Sequence, residues 1–322
     1  GLNTRFVKLA TDARPSRLRA LAELVRLPNV FTALADVLMG YLCTHENLRF
    51  WHEFAWLLAA SCLLYMAGVV LNDVFDRDID RHERPGRPIP SGRIAAGHAR
   101  WVGLGLLLTG AGMGWIASAV FCDWRCGTVA TMLAATIVAY DGVLKRTVLG
   151  PPAMGGCRAL NVLLGMSAGG QWHPMHWLAA GGIGTYIVGV TWIARTEAGT
   201  SSRWQLFLAT SVVAGGIGIV AWFPSWADAG LPPASVPVFA RQDPDNWYLL
   251  LGLIGAMIVW RCLRSVFDPS PAMVQAAVRH CIFSLIMLDA VACLAVRGPL
   301  WAVAILLLLA PTMFLGRWIY ST

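Results

Sequence analysis

The sequence is dominated by apolar runs that are long enough to cross a lipid bilayer as helices. Hydrophobic residues make up 57% of the 322 residues and charged residues only 13%, whereas about a quarter of the residues in soluble domains are charged. A helix of about 17 to 25 residues spans the hydrocarbon core and satisfies its own backbone hydrogen bonds there. The pattern therefore predicts an all-α, polytopic membrane bundle of about nine or ten helices. The runs lie near residues 28–44, 54–72, 101–121, 127–143, 151–171, 176–194, 205–223, 246–263, 280–296 and 299–316.

Basic residues mark one side of this bundle. Alternate connections, starting with the N-terminal segment, hold most of the 25 Lys and Arg residues. The positive-inside rule places such connections in the cytoplasm, so we expect the connection at 73–100 to face the cytoplasm from a bacterial inner membrane. The net charge of +7 is then explained by this bias and by attraction to anionic lipid. A nucleic-acid partner is not expected.

The N-terminal segment, residues 1–27, differs from the rest of the chain. Its Arg17 and Arg19 alternate with leucines, which predicts a basic amphipathic helix on the cytoplasmic membrane surface. Pro28 then begins the first span. We expect residues 28–322 to form a single transmembrane domain.

Four aspartates closely follow the second apolar run. Each would cost roughly 2.5 to 3.5 kcal/mol at the bilayer centre, so they must lie at the membrane surface or line a wet cavity. If the helix continues through them, Asp73, Asp76 and Asp80 share one face at i, i+3 and i+7. Asn72 lies beside that face and Asp78 points away from it. Because Mg²⁺ is held by one or two carboxylates plus substrate phosphates, these three aspartates predict a Mg²⁺ and diphosphate site.

Arginines follow the aspartates on a segment that Pro and Gly keep from being helical. Arg84 and Arg87 lie in this segment, 81–93, which can fold back over the carboxylates. Metal ions on one side of a diphosphate and guanidinium donors on the other would hold it. Alternatively, these arginines only face lipid headgroups, as positive-inside loops do.

Further basic residues lie in the fourth connection, 144–150, and in the run that follows it. Lys145 and Arg146, in a second cytoplasmic turn, are candidate phosphate ligands. Arg158 lies within an apolar run, and a charge inside a span is a functional candidate by default. Asn161 is three residues further on and shares its face. Alternatively, Arg158 extends to the membrane surface, since it lies close to the turn.

The acidic and basic segment resembles the first aspartate-rich motif of the UbiA superfamily of intramembrane prenyltransferases. The matching residues are Asn72-Asp73-x-x-Asp76-x-x-x-Asp80 and Arg84-Pro85-x-Arg87-Pro88-Ile89-Pro90-Ser91-Gly92. The resemblance implies a helical bundle around a central cavity, with the prenyl tail in an apolar tunnel open to membrane lipid. It also implies Mg²⁺-dependent transfer of a prenyl group from an isoprenyl diphosphate to a small aromatic, quinone-precursor or polar, sugar-like acceptor. Among the family's branches, the chain is most similar to the EboC-type members.

The resemblance also implies which side chains contact substrate. They are Asn29, Asn72, Arg84, Arg87, Tyr140, Lys145, Arg146, Arg158 and Asn161. Asn29 belongs to the stretch that resembles the start of the family's first helix, where an Asn faces the central cavity.

The family's second motif, Asp-x-x-x-Asp at the end of the sixth helix, is not preserved. In its place the chain has Arg195 and Glu197. We expect Arg195 to neutralise diphosphate directly in place of a second metal ion. Alternatively, the site is impaired, and the chain is a non-catalytic binding or transport protein for an isoprenoid or an envelope intermediate. Glu197, Asp141 and Asp73 are the candidate bases for the acceptor.

Phosphatidyl-type alcohol transferases are another class of helical membrane enzymes with spaced aspartates. They need Asp-Gly-x-x-Ala-Arg ahead of those aspartates. Here Asp141-Gly142 is followed by Val143-Leu144-Lys145-Arg146 and comes after the cluster, so the pattern disfavours this class.

Overall fold

Long helices joined by short turns account for nearly all of the described chain. The computed structural model describes residues 17–195, 202–228 and 230–320, and this part of the chain contains helices and no β-strand. The helices are α1 (Arg17–Leu24), α2 (Leu27–Thr44), α3 (Trp51–Phe75), α4 (Arg77–Glu83), α5 (Ala96–Phe121), α6 (Arg125–Gly142), α7 (Gly150–Met166), α8 (Pro174–Ala194), α9 (Arg203–Trp222), α10 (Val238–Gln242), α11 (Pro244–Phe267), α12 (Pro271–Arg297), α13 (Pro299–Leu306) and α14 (Leu309–Tyr320).

Eight described segments are long and apolar enough to cross a membrane: α2, α3, α5, α8, α9, α11, α12 and the joined α13 and α14. The predicted runs at 127–143 and 151–171 form α6 and α7, which are not among the eight. α7 has only 17 residues and includes Arg158 and Asn161, which lower its apolarity. The all-α polytopic bundle is confirmed, and the chain is an integral, multi-pass membrane protein. The predicted count of nine or ten spans is approximate.

Prolines determine where several of the helices begin. α7, α8, α11, α12 and α13 each have Pro in the first two positions, where the fixed φ suits the helix and the missing N–H has no helical partner. The predicted run at 280–296 is the second part of α12, because that helix begins at Pro271. Gly298, with a φ of +83°, separates α12 from α13 in a conformation that favours Gly.

α2 lies at the centre of the bundle. It packs against α3, α7, α12 and α14. Around it, α3 packs against α5. From α5 to α9, each helix packs against the next one in the chain. α11 then packs against α9, and α12 packs against α11. The second and seventh helices therefore share one central interface.

Glycines bring α2 and α7 into close contact. A Cβ atom on Gly40 would clash with the Val162 carbonyl oxygen, and a Cβ atom on Gly165 would clash with the Val37 carbonyl oxygen. Small residues allow helix backbones to approach closely in membranes. This approach brings the polar side chains of α2 against those of α7.

A small core holds the segment after α4 against the end of the bundle. Leu24 of α1 is fully buried in a cluster that includes Ile89 and Ile94. Arg93 Nη2 lies 2.6 Å from Glu23 Oε2, which joins the same segment to α1. The segment that carries the predicted arginines is therefore packed in place.

The described part of the N-terminal segment is one short helix, α1, which contacts α2, α3 and α14. Residues 1–16 of the predicted amphipathic segment 1–27 lie outside the described residues. The division into 1–27 and 28–322 stays a prediction.

Candidate functional site

A cavity of about 1030 Å³ lies between α2, α3, α6, α7, α8 and α12. Its inner wall is apolar and is formed by Leu64, Leu133, Ile137, Met154, Ile187, Val190, Val278, Ile282 and Phe283. Its polar end, which we call the cavity mouth, lies where α3, α6 and α8 end. The predicted site residues that line the cavity are Asn29, Asn72, Asp76, Arg84, Arg87, Tyr140, Lys145, Arg146, Arg158, Asn161 and Arg195.

Among the described residues, two predicted site residues are not part of this lining. Asp73 and Asp80 are 4% and 2% exposed and contact arginines that do line the cavity. Glu197 lies outside the described residues. The structure therefore gathers most of the predicted side chains at the cavity, but of the three predicted metal ligands it places only Asp76 in the lining.

The helix is interrupted within the aspartate cluster. α3 ends at Phe75, Asp76 adopts φ −91° and ψ 3°, and α4 begins at Arg77. Asp76 lines the cavity, whereas Asp80, on α4, does not. The single continuous face expected from a continuous helix is thus divided. No Pro or Gly marks this break in the sequence, so the pattern could not predict it.

Asp78 lies on the outer side of α4. Its side chain is 70% exposed, and its Oδ1 lies 3.2 Å from Arg81 Nη1. It contacts neither the cavity nor the other three aspartates. Asp78 is therefore a natural control position for the cluster.

Arg87 joins the two buried carboxylates. Its Nη1 lies 3.1 Å from Asp73 Oδ1 and 2.7 Å from Asp80 Oδ2. Arg26 Nη2 lies 3.0 Å from the same oxygen of Asp73. The side chains of Arg87 and Arg26 are 22% and 31% exposed, whereas that of Asp73 is 5% exposed. The guanidinium groups therefore reach solvent while they balance buried charge.

Arg26 reaches this position through an unusual backbone conformation. Its φ and ψ are 47° and 51°, in the left-handed region, which costs a non-Gly residue roughly 1–2 kcal/mol. Such strain persists where the surrounding structure holds it, often at functional sites. The residue lies between α1 and α2 and lines the cavity. Sequence reasoning did not include it among the site residues.

Lys145 contacts the remaining aspartate. Its Nζ lies 2.7 Å from Asp76 Oδ1, and its side chain is 9% exposed. A Cβ atom on Gly150 would lie 3.1 Å from Lys145 Cα, so Gly allows α7 to begin directly beside this turn. Arg195 Nη1 donates to the Thr147 carbonyl oxygen at 2.7 Å. The ends of α6 and α8 thus meet at the cavity mouth.

A second polar group lies deeper, which we call the buried network: Thr32, Asp36, Ser61, Arg158 and Asn161. Arg158 donates to Asp36 Oδ2 and to Thr32 Oγ1, both at 2.8 Å. Asn161 Nδ2 donates to Asp36 Oδ2 at 3.0 Å, and Ser61 Oγ donates to Asn161 Oδ1 at 2.7 Å. Arg158 therefore points into the bundle and does not extend to the membrane surface.

The sequence carries a signal for one further residue of this group. Asp36 is a charged residue inside the first apolar run, and such residues are functional candidates, yet it was not among the predictions. Tyr65, whose ring lies 5.4 Å from the Arg158 guanidinium carbon, and Arg279, on α12, also line the cavity. Nothing in the sequence marks these two, because their position depends on how the helices pack.

The donor chemistry of the mouth fits Mg²⁺. No group of three or more His, Cys, Asp or Glu among the described residues is arranged to hold a metal ion. A preformed group is not required, because Mg²⁺ is commonly held by one or two carboxylates together with substrate phosphates. Asp76 supplies such a carboxylate at the cavity surface. Asp73 and Asp80 would each have to give up an arginine to join it.

Positive charge exceeds negative charge around the cavity. Within the described ranges, the basic lining residues are Arg26, Arg84, Arg87, Lys145, Arg146, Arg158, Arg195 and Arg279, and the acidic ones are Asp76 and Asp141. Lysine and arginine side chains at close quarters bind phosphate oxygens strongly. The cavity can therefore hold a molecule with an apolar tail and an anionic head.

These features define an integral membrane protein with a basic mouth above an apolar cavity. Residues 33–280 match the UbiA prenyltransferase family. The match covers more than half of the chain, so the chain belongs to the UbiA prenyltransferase family, and the resemblance seen in the sequence is confirmed.

The curated relatives that the chain matches include archaeal digeranylgeranylglyceryl phosphate synthases. That of Saccharolobus solfataricus is 31% identical over 134 residues, 40% of this chain and 44% of that protein. That of Methanopyrus kandleri is 32% identical over 166 residues, 50% of this chain and 57% of that protein. The chain thus spans about half the length of these relatives. Assignment to the EboC-type branch stays a prediction.

Solved structures of the family share the fold. A UbiA homolog from Archaeoglobus fulgidus, bound to GPP and Mg²⁺, has a TM-score of 0.61 at 14% identity and covers 89% of this chain and 99% of its own. A structure of digeranylgeranylglyceryl phosphate synthase has a TM-score of 0.59 at 19% identity and covers 90% and 99%. At such identities the likeness shows the fold alone.

Proposed function

We propose that this protein transfers a prenyl group from an isoprenyl diphosphate to a small acceptor that also carries a negative charge. The observation that carries this proposal is the excess of basic side chains at the mouth of an otherwise apolar cavity. The apolar wall takes the isoprenoid chain, and the mouth takes the phosphates.

The diphosphate is held by basic side chains that come from separate parts of the chain. Arg84 and Arg87 belong to the packed segment after α4, Lys145 and Arg146 to the turn after α6, and Arg195 to the end of α8. Guanidinium groups bind phosphate oxygens in pairs of hydrogen bonds, and a lysine adds a point charge. Asn29, Asn72, Tyr140 and Asn161 supply polar contacts along the same wall.

Asp76 is the first candidate to hold Mg²⁺. Asp73 and Asp80 would become further ligands if Arg87, which contacts both of them, moved to the diphosphate. When bound, Mg²⁺ adds positive charge that stabilises the leaving diphosphate. The Mg²⁺ and GPP described for the A. fulgidus homolog support this part of the proposal. Arg195 would take the place of a second metal ion, because the second acidic motif is missing.

The chemistry of the chain's own side chains follows from this binding mode. Basic groups at the mouth stabilise negative charge as the allylic carbon–oxygen bond breaks. The apolar wall excludes water from the prenyl cation until the acceptor captures it. Asp141 is the favoured base for the acceptor's proton, since it lines the cavity and accepts a hydrogen bond from Asn72 Nδ2 at 2.9 Å. Glu197 and Asp73 remain the other candidates.

The charge of the mouth favours an anionic acceptor. Basic groups still outnumber acidic ones when Asp36, Asp73 and Asp80 are counted with the arginines that they contact. A diphosphate with one bound divalent cation keeps little net negative charge, so it cannot balance this excess by itself. An acceptor with a phosphate group would supply the rest. The product that the matched relatives are named for, a glyceryl phosphate, supports a polar, phosphorylated acceptor over a neutral aromatic one.

We also propose that the mouth faces the cytoplasm. Support comes from the concentration of Lys and Arg in the connections on that side. In α1, Leu18 is 77% exposed, as suits a helix lying on membrane lipid. A bacterial inner membrane stays a prediction, and the matched relatives are archaeal.

Release of inorganic diphosphate tests the reaction. The full chain in lipid bilayers would receive Mg²⁺, geranylgeranyl diphosphate and either a glycerol-ether phosphate or a neutral aromatic acceptor. We expect release that requires Mg²⁺ and is faster with the phosphate acceptor. An analogue saturated at the 2,3 double bond is the matched control, because it should bind but cannot form an allylic cation.

The outcomes separate the two functions left open by the sequence. Release from the allylic substrate but not from its saturated analogue supports the transferase. Saturable, Mg²⁺-dependent binding of geranylgeranyl diphosphate without release with either acceptor would instead support a binding or transport protein.

A further inference from the structure

Asp289 on α12 is a buried carboxyl group that the proposed reaction does not use. It is 0% exposed, as is Asp36 on α2. Among the described residues, no hydrogen-bond donor contacts either carboxyl oxygen of Asp289. The same is true of Oδ1 of Asp36. α12 packs against α2, and this packing places the carboxyl group of Asp289 beside that of Asp36.

Two ionised carboxylates cannot satisfy each other, because each offers only acceptors. Like charges in contact also repel strongly away from water. A proton shared between the two groups removes both problems: one carboxyl becomes a donor, and the pair is left with one negative charge. That charge matches the single guanidinium of Arg158, which lies 2.8 Å from Asp36 Oδ2.

The proton belongs on Asp289. Asp36 Oδ2 already accepts hydrogen bonds from Arg158 and from Asn161, so Asp36 acts as an acceptor in the buried network. Asp289 has no such donor among the described residues. Its hydroxyl can then donate to Asp36, whose Oδ1 is otherwise without a donor.

We propose that Asp289 is a neutral, protonated positioning residue, which fixes the Asp36 carboxylate that orients Arg158 and Asn161 at the cavity wall. This role rests on the proposed function, because it matters through the substrate contacts of Arg158 and Asn161. It joins α12 to α2 and α7 directly behind that wall. The assignment of the proton to Asp289 stands apart from any reaction.

Two substitutions of similar size distinguish a positioning role from simple packing. In Asp289→Asn the amide can still donate to Asp36, so we expect the KM for geranylgeranyl diphosphate to stay within about twofold of the unmodified protein. In Asp289→Leu the donor is lost, and we expect KM to rise about tenfold, the effect of one charge-assisted hydrogen bond. The change in kcat should be smaller than the change in KM.

Infrared spectroscopy provides a readout that needs no turnover. A protonated carboxylic acid has a C=O stretch that a carboxylate lacks, so the band of Asp289 should be present in the full chain in lipid and absent from Asp289→Asn. Asp78→Asn is the control, because it removes an exposed carboxyl group that contacts Arg81, and the band should remain.

The results test the proposal about Asp289 separately from the proposed transferase function. A spectrum that Asp289→Asn leaves unchanged would overturn the proton assignment, and a KM raised as much by Asn as by Leu would overturn the positioning role. If the band is lost in Asp289→Asn but the unmodified protein neither binds nor cleaves the diphosphate, the proposed function fails while the protonated carboxyl group stands.

Discussion

The cavity mouth and the buried network both pair arginine with aspartate, but they differ in access to water. At the mouth, the side chains of Arg26 and Arg87 are 31% and 22% exposed. In the buried network, Arg158 is 13% exposed and Asp36 is fully buried. Ion pairs that reach solvent can exchange a carboxylate for an incoming phosphate at little cost. A sealed pair cannot, because removing one partner leaves an uncompensated charge. The same kind of ion pair can therefore bind substrate at the mouth, whereas in the buried network it holds the helices in position.

Asp36→Asn should have the largest effect on folding. It leaves the Arg158 guanidinium buried without its counter-ion, which typically costs about 3–5 kcal/mol. Equilibrium unfolding in mixed detergent and lipid micelles would measure the loss in free energy of unfolding.

Asp73→Asn is the matched change at the mouth. It should cost about 1 kcal/mol, because both of its arginines reach solvent and Arg87 keeps its contact with Asp80. Equal losses for Asp36→Asn and Asp73→Asn would show that access to water does not separate the two regions.

Asp76→Ala should have the largest effect on turnover. Asp76 is the predicted metal ligand that lines the cavity, and loss of one electrostatic contribution to a transition state typically costs about 10²- to 10³-fold in rate. Diphosphate release with saturating substrate and Mg²⁺ would measure it. The loss of stability should be smaller than for Asp36→Asn, because Asp76 is 21% exposed whereas Asp36 is fully buried.

Asp78→Ala provides the comparison for that result. The side chain is 70% exposed and faces away from the cavity, so turnover should stay within about twofold of the unmodified protein. A loss as large as that of Asp76→Ala would contradict the placement of Asp76 at the cavity and of Asp78 on the outer side of α4.

Gly165→Ala tests the helix contact on which the buried network depends. The added Cβ would meet backbone atoms of α2, the Val37 carbonyl oxygen and the Tyr41 nitrogen, which cannot rotate away. Overpacking of this kind costs about 1–3 kcal/mol, and it should also lower turnover by shifting Asp36 from Arg158. Unfolding and diphosphate release would be measured on the same samples.

Gly156→Ala is the control on the same helix. Nothing lies within 4 Å of a Cβ added there, and Ala favours the helix over Gly by roughly 0.5–1 kcal/mol. It should therefore be neutral or slightly stabilising. If both substitutions destabilise alike, the α2 and α7 contact is not the cause.

The two regions also differ in how far the sequence could predict them. Asp76, Arg84 and Lys145 lie next to helix ends, two of them in one compact motif, so their spacing and charge are enough to indicate a site. The break at Asp76 could not be predicted, since it has no Pro or Gly. Asp36 and Asp289 are 253 positions apart in sequence and meet only when α2 packs on α12. Local patterns indicate the spans and the mouth, while the partners within the bundle depend on tertiary packing.

The smallest effect is expected for a further aspartate and arginine pair, at the opposite end of the bundle from the mouth. Arg125 Nε donates to Asp123 Oδ1 at 2.9 Å in the turn between α5 and α6. This hydrogen bond holds the pKa of Asp123 below its usual range.

Because the folded pKa of Asp123 lies below the unfolded value of about 3.9, the stabilisation is present above that value and is lost as the pH falls through the folded pKa. For a pair this close to solvent it should amount to less than about 1 kcal/mol. Asp123→Asn should therefore reduce stability slightly at pH 7 and leave it unchanged in strong acid, as unfolding curves at several pH values would show. A penalty that persists in acid would mean that Asp123 acts through packing and not through its charge.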